Sequence, residues 1–105
     1  MTYLGSLHSL RGLLLTLVCA GLLGCAGAPV QEMSNARQAI KAARDAGADR
    51  SESQQLSTAQ TLLEQAETSL QKGDWRDARR NAVEARRKAN EAMLKARAEY
   101  NNGTT

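Results

Sequence analysis

The sequence predicts an all-α protein: a small antiparallel helical hairpin or three-helix bundle that follows a cleaved signal peptide. Three observations carry this. Ala, Arg, Lys, Gln and Glu, all strong helix formers, dominate the chain after position 30. Apolar residues recur there at spacings of three and four, the period of one helix face, and nowhere alternate as they would on a strand; Phe is absent altogether. Isolated Gly47 and Gly73 punctuate the pattern and divide it into three segments.

The leader comes first. Residues 1–24 have the three parts of a secretory signal: Arg11 with His8 as a partial second charge, an apolar run from Gly12 to Leu23, and small Gly24. The run suits the ~7–15 apolar residues of a signal and falls short of the ~20 that span a bilayer, which argues against an uncleaved transmembrane helix. Leu22-Leu23-Gly24-Cys25 resembles a bacterial lipobox. That resemblance implies cleavage between Gly24 and Cys25 and a lipid anchor on Cys25. The competing reading is a plain signal that leaves a free thiol. Small Gly24, Leu22 three residues before the cysteine, and the place of Cys25 at the end of the apolar run weigh against it. Cys19 lies inside the run behind bulky Val18 and leaves with the leader, so the mature chain has one cysteine and no internal disulfide. Lipoproteins with this motif carry two acyl chains through a thioether and often a third on the amine. At ~0.8 kcal/mol per buried CH₂, such chains hold far more firmly than a single reversible one. Ala26 comes directly after the cysteine. By resemblance to Gram-negative lipoproteins, a non-aspartate there implies the outer membrane, with the protein facing the periplasm.

Residues 25–30 read as a tether and residues 31–100 as the helical domain. Pro29 marks the first turn of the opening helix. Helix one is expected over 31–46, with Met33, Ala36, Ile40 and Ala43 on one face, Ala39 widening it, and Gly47 ending it. Helix two is expected over 50–72. Asp49 with Glu52, or Ser51 with Gln54, supplies a capping-box-like start. Leu56, Ala59, Leu63, Ala66 and Leu70 form its seam, with Leu62 beside it, and Gly73 ends it. Helix three is expected over 75–100. Asp74 is the N-cap and Asp77 adds favourable charge to the first turn. Ala78, Ala82, Ala85, Ala89, Ala92 and Ala96 step 4-3-4-3-4 without a break, the cleanest periodicity in the chain. Residues 101–105 read as a polar, flexible tail.

Short turns at Gly47 and Gly73 make antiparallel neighbours. Helices two and three are expected to form a hairpin with helix one packed against it. Alanine at every seam position lets helix axes approach the lower end of the usual ~8–10 Å range. It also buries little apolar area, at roughly 25 cal/mol per Å². So small a domain therefore either leans on helix propensity and ion pairs or has its seam completed by another copy or a partner. The far end of helix three, near Met93 to Tyr100, is expected to extend beyond the shorter helix one.

Function is bounded mainly by exclusion. His8 is the only histidine and belongs to the leader. The mature chain therefore has no Cys/His metal set and no Ser-His-Asp or Cys-His arrangement, and its glycines form no phosphate loop. No cofactor, no metal and no enzymatic activity are expected. The chain carries 14 basic and 11 acidic side chains. With Arg11 removed the signs nearly balance, which argues against nucleic-acid binding. Arg79-Arg80 and Arg86-Arg87-Lys88 give helix three a basic excess, read either as a solvated face or as a contact for anionic surfaces. Glu84 with Arg87 or Lys88, and Glu91 with Lys95, are helix-supporting pairs. Trp75, the one tryptophan, either covers the open end of the hairpin or serves as a partner contact.

These residues carry two resemblances. The run from Ala59 to Ala89, through Ala66, Gly73-Asp74-Trp75, Ala78, Ala82 and Ala85, is similar to one tetratricopeptide unit. There is only one such unit, without the family's bulky residue at Ala82 or its closing proline. The chain from Met33 to Ala96 resembles the small bacterial lipoproteins that carry "domain of unknown function 4398". The matching features are Ala36-Arg37-Gln38-Ala39-Ile40, Ala42-Ala43-Arg44-Asp45-Ala46-Gly47-Ala48, the Leu56/Ala59/Leu63/Ala66/Leu70 helix, the Gly73-Asp74-Trp75 turn and the alanine-stepped last helix. This second resemblance implies a periplasm-facing helical domain and supplies no catalytic residues. The expectation is a non-enzymatic envelope lipoprotein, anchored at Cys25, that acts as a structural or adaptor element toward an envelope protein or a copy of itself. The alternative is a binding module whose Arg79, Arg80, Arg86, Arg87 and Lys88 contact anionic lipid, lipopolysaccharide or peptidoglycan.

Overall fold

A computed structural model describes residues 27–51 and 53–103. Helix α1 covers Val30–Asp45, α2 covers Gln54–Gln71 and α3 covers Trp75–Gly103. The described chain is all-α, as the sequence predicts. Near Gly27 the N-terminal end of α1 meets the start of α3, and Asp45 and Ala46 line a groove with Arg97 and Tyr100 at the other end. α1 and α3 therefore run parallel, and α2 runs antiparallel between the two turns. α3 packs extensively against both partners, whereas α1 and α2 share a narrower contact.

Helix ends obey local chemistry. Both glycine turns are Schellman closures. At the end of α1, the Gly47 N–H donates to the Arg44 carbonyl at 2.9 Å and the Ala48 N–H to the Ala43 carbonyl at 3.0 Å. At the end of α2, Gly73 donates to Leu70 at 3.1 Å and Asp74 to Ser69 at 2.9 Å. Gly47 has φ 96° and Gly73 φ 80°, a left-handed backbone that glycine adopts without a Cβ penalty. The cap of α3 is Asp74, whose Oδ1 accepts the Asp77 N–H at 3.2 Å.

The start of α2 differs from the expected Arg50. Residues 46–51 form a further turn in which the Arg50 N–H reaches the Gly47 carbonyl and the Ser51 hydroxyl the Ala48 carbonyl. That turn drives Ala48 into the core, fully buried. Neither Asp49 nor Ser51 is then placed to cap, and Ser53 takes the position, accepting the Leu56 N–H at 3.2 Å. α3 also continues past Tyr100 to Gly103, so residues 101–103 are helical rather than tail-like. Pro29 stands just before α1, where its carbonyl accepts the Met33 N–H at 3.0 Å.

The core is an alanine core. Ala78, Ala82, Ala85, Ala89, Ala92 and Ala96 are all buried on one stripe of α3, which lies in the trough between α1 and α2. One cluster joins Ala39, Ile40, Ala43 and Ala48 to Leu56 and Ala59 and to Ala89, Ala92 and Ala96. A second places Met33 against Ala66 and Ala82. Leu63 and Leu70 are partly buried and pack on these clusters. Met33 is 1 % exposed, and burying a side chain of that size contributes about 1.5–3 kcal/mol. The far end of α3 is better covered than its length predicts, because Ala46 and Ala48 extend the reach of α1 over Ala92 and Ala96. Leu94 and Tyr100 remain there as exposed large apolar residues.

Candidate functional site

The two sequence features from which function is expected are the lipobox-like segment ending at Cys25 and the charged face of α3. Gly24 and Cys25 lie outside the described residues, which begin two positions later at Gly27. From Gly27 the backbone is held by packing. A Cβ at Gly27 would come within 3.3 Å of Cζ3 of the Trp75 ring, so the backbone lies directly on the indole. Pro29 is fully buried. The Arg79 guanidinium donates to the Gly27 carbonyl at 3.4 Å, and its Nε donates to Oε1 of Glu32 at 3.2 Å. The chain from Gly27 onward is thus bound to the first two turns of α3 by an aromatic contact, a hydrogen bond and an ion pair.

Trp75 takes up the expected covering role only in part. One portion of the indole is covered by Gly27, while the residue stays 47 % exposed. Lys72 and Arg76 flank it in sequence, both exposed, and neither forms an ion pair among the described residues. The nearby carboxylates are engaged: Asp74 caps α3 and Asp77 pairs with Arg80.

The charged face of α3 is not a single basic patch. Arg79 turns toward α1 and Glu32, and Arg80 pairs with Asp77. Arg87 bonds Glu84 and Glu91, and Lys88 lies 3.5 Å from Glu91. Arg86 is exposed with no ion pair among the described residues. The hydrogen bond from Arg87 holds the Glu84 carboxyl below its usual range, and the same bond raises Arg87. On α1 the bond to Asp45 raises Lys41 in the same way. Between helices, Arg37 reaches Glu67 of α2 at 3.1 Å.

Glu32 and Gly27 are not singled out by sequence reasoning, although an acidic residue in the first turn of α1 is legible as a helix-favouring charge. Its pairing across 47 positions with Arg79 requires the parallel arrangement of α1 and α3. Among the described residues no cluster of His, Cys, Asp and Glu has the form of a metal site, and no helix is long and apolar enough to cross a membrane. An open groove of ≈ 590 Å³ is lined by Ala42, Asp45, Ala46, Arg97, Tyr100 and Asn101.

Neither the curated proteins nor the solved structures contain a match to this chain. Among known families, residues 31–102 match the domain of unknown function DUF4398, a span that takes in all of α2, nearly all of α1 and α3, and both glycine turns. The match begins one residue inside α1 and ends one residue before the last residue of α3. On that match the chain belongs to the DUF4398 family.

Proposed function

We propose that this protein is a non-enzymatic, lipid-anchored envelope lipoprotein whose helical domain is a structural or adaptor element held at the periplasmic face of the outer membrane. The observation that carries the reading is the fixation of Gly27–Pro29 onto α3 immediately after the lipobox-like Leu22-Leu23-Gly24-Cys25. Held in this way, an anchored domain gains a defined position at the membrane. The chemistry agrees, since no histidine or thiol other than Cys25 follows the leader.

The partner favoured is another envelope protein rather than a second copy joined through the seam. Every alanine of the α3 stripe is already buried within the chain, Ala82, Ala89, Ala92 and Ala96 in clusters with residues of α1 and α2. The carboxylate partners of Arg79, Arg80, Arg87 and Lys88 likewise favour the adaptor reading over contact of that face with lipid, lipopolysaccharide or peptidoglycan.

The test is the mass and location of the mature protein. Intact mass is expected to show acyl chains on Cys25, and density-gradient separation to place the protein with the outer membrane. Cys25→Ser is expected to leave an unprocessed or unanchored chain. A lipid-modified mass in that variant would refute the anchor site.

A further inference from the structure

We propose that the anchored end of the bundle is itself a lipid-contacting surface, with the exposed part of the Trp75 indole lying in the headgroup layer beside the acylated cysteine. The inference rests on the reading of Cys25 as an anchor and adds the orientation of the protein on the membrane. Four observations lead to it.

First, Cys25 is two residues from Gly27, and two residues reach at most about 7 Å. Second, Gly27 cannot swing away to lengthen that reach. It lies on Trp75, its carbonyl accepts from Arg79, and Pro29 behind it is fully buried. The acyl chains therefore enter the bilayer next to Trp75, whichever way the chain runs through Ala26. Third, Trp75 is 47 % exposed at that end, and Val30, the first residue of α1, is 66 % exposed. An indole with one covered face and a polar N–H suits the membrane–water boundary, where one side is apolar and the other wet. Fourth, the charge there is positive on balance. Lys72 and Arg76 bracket Trp75 without ion-pair partners among the described residues, against the single carboxylate of Asp74, which caps α3, while Asp77 is paired with Arg80. Long basic side chains lay their stems on apolar surface and present the charge to headgroup phosphates. The occupant of this surface is thus a bilayer containing anionic lipid.

The sole tryptophan makes the experiment direct, because indole emission reports on this ring alone. The lipidated protein is reconstituted into vesicles of phosphatidylethanolamine and phosphatidylglycerol whose acyl chains are brominated either close to the headgroup or near the chain end. Intact mass is measured on the same sample. The expected result is an acylated mass, a blue-shifted emission, and loss of emission that is greater with shallow bromines than with deep ones. Lys72→Gln with Arg76→Gln, at unchanged acyl mass, is expected to reduce that quenching in vesicles containing phosphatidylglycerol and not in purely zwitterionic ones. An acylated protein whose emission neither shifts nor is quenched overturns the docking and leaves the anchor standing. A blue shift without quenching means the ring is buried against protein, and it overturns lipid contact as well. A mass without acyl chains overturns the anchor reading, and this inference with it.

Discussion

Alanine is ordinarily the residue left when a side chain has been removed, yet here it supplies most of the buried residues of the core. Each alanine from Ala78 to Ala92 on the α3 stripe is 0–1 % exposed, so a larger side chain there has to enter the packed interface between helices. Enlarging one is then costly: Ala89→Leu is expected to lower stability by about 1–3 kcal/mol through overpacking, read as a lower urea midpoint. Single residues also decide the helix ends. Ser53→Ala removes the side chain that caps α2 and is expected to cost about 0.5–2 kcal/mol, while Asp49→Ala leaves the urea midpoint nearly unchanged. Equal effects of the two substitutions would contradict the observed cap. This boundary is hard to read from sequence because Asp49, Ser51 and Ser53 all have capping chemistry within five positions. What decides among them is the burial of Ala48, a tertiary fact that periodicity does not contain. The α3 stripe is legible residue by residue, because an unbroken 4-3 spacing admits one face only.

At the level of elements, α3 combines a seam with a charged ladder on its outer side. Glu84, Arg87, Lys88 and Glu91 form one connected group along two turns. Bonding to Arg87 depresses the Glu84 carboxyl in the folded helix relative to the unfolded chain. A depressed carboxylate stabilises the fold at pH above its unfolded value, and that contribution is lost as pH falls through the lower folded value. Acid titration followed by circular dichroism is therefore expected to show helix weakening in the acidic range below the ordinary glutamate value. Glu84→Gln is expected to flatten that response, and an unchanged acid profile in the variant would show that the ladder has no part in it. These short-range pairs are visible in the sequence, since spacing of three and four fixes helix neighbours. The ion pairs between helices, Arg37 with Glu67 and Arg79 with Glu32, are not, because they depend on which helices lie side by side.

The whole molecule is arranged around α3, with α1 parallel and α2 antiparallel to it. Its 29 residues span about 44 Å, the length of the bundle. The hairpin of α2 and α3 is readable from Gly73-Asp74 and the matched seams. The full coverage of the seam is not, because it depends on α1 starting beside Trp75 and on the extra turn at 46–51 extending its reach. With the seam filled from within the chain, a soluble Ala26–Thr105 protein is expected to be monomeric by light scattering. A dimer that dissociates in Ala89→Leu would instead place a second copy at the seam.

A stripe made of one small residue has a further consequence. Six similar methyl groups in a row present a nearly smooth track, along which a neighbouring helix meets almost the same surface after sliding by seven residues. The alanines set how near the helices come but do little to set their register. That task falls to the few larger side chains, Met33 between Ala66 and Ala82, and Ile40 and Leu56 in the other cluster, and to the two glycine closures at the ends. In this protein, closeness and alignment are therefore specified by different residues.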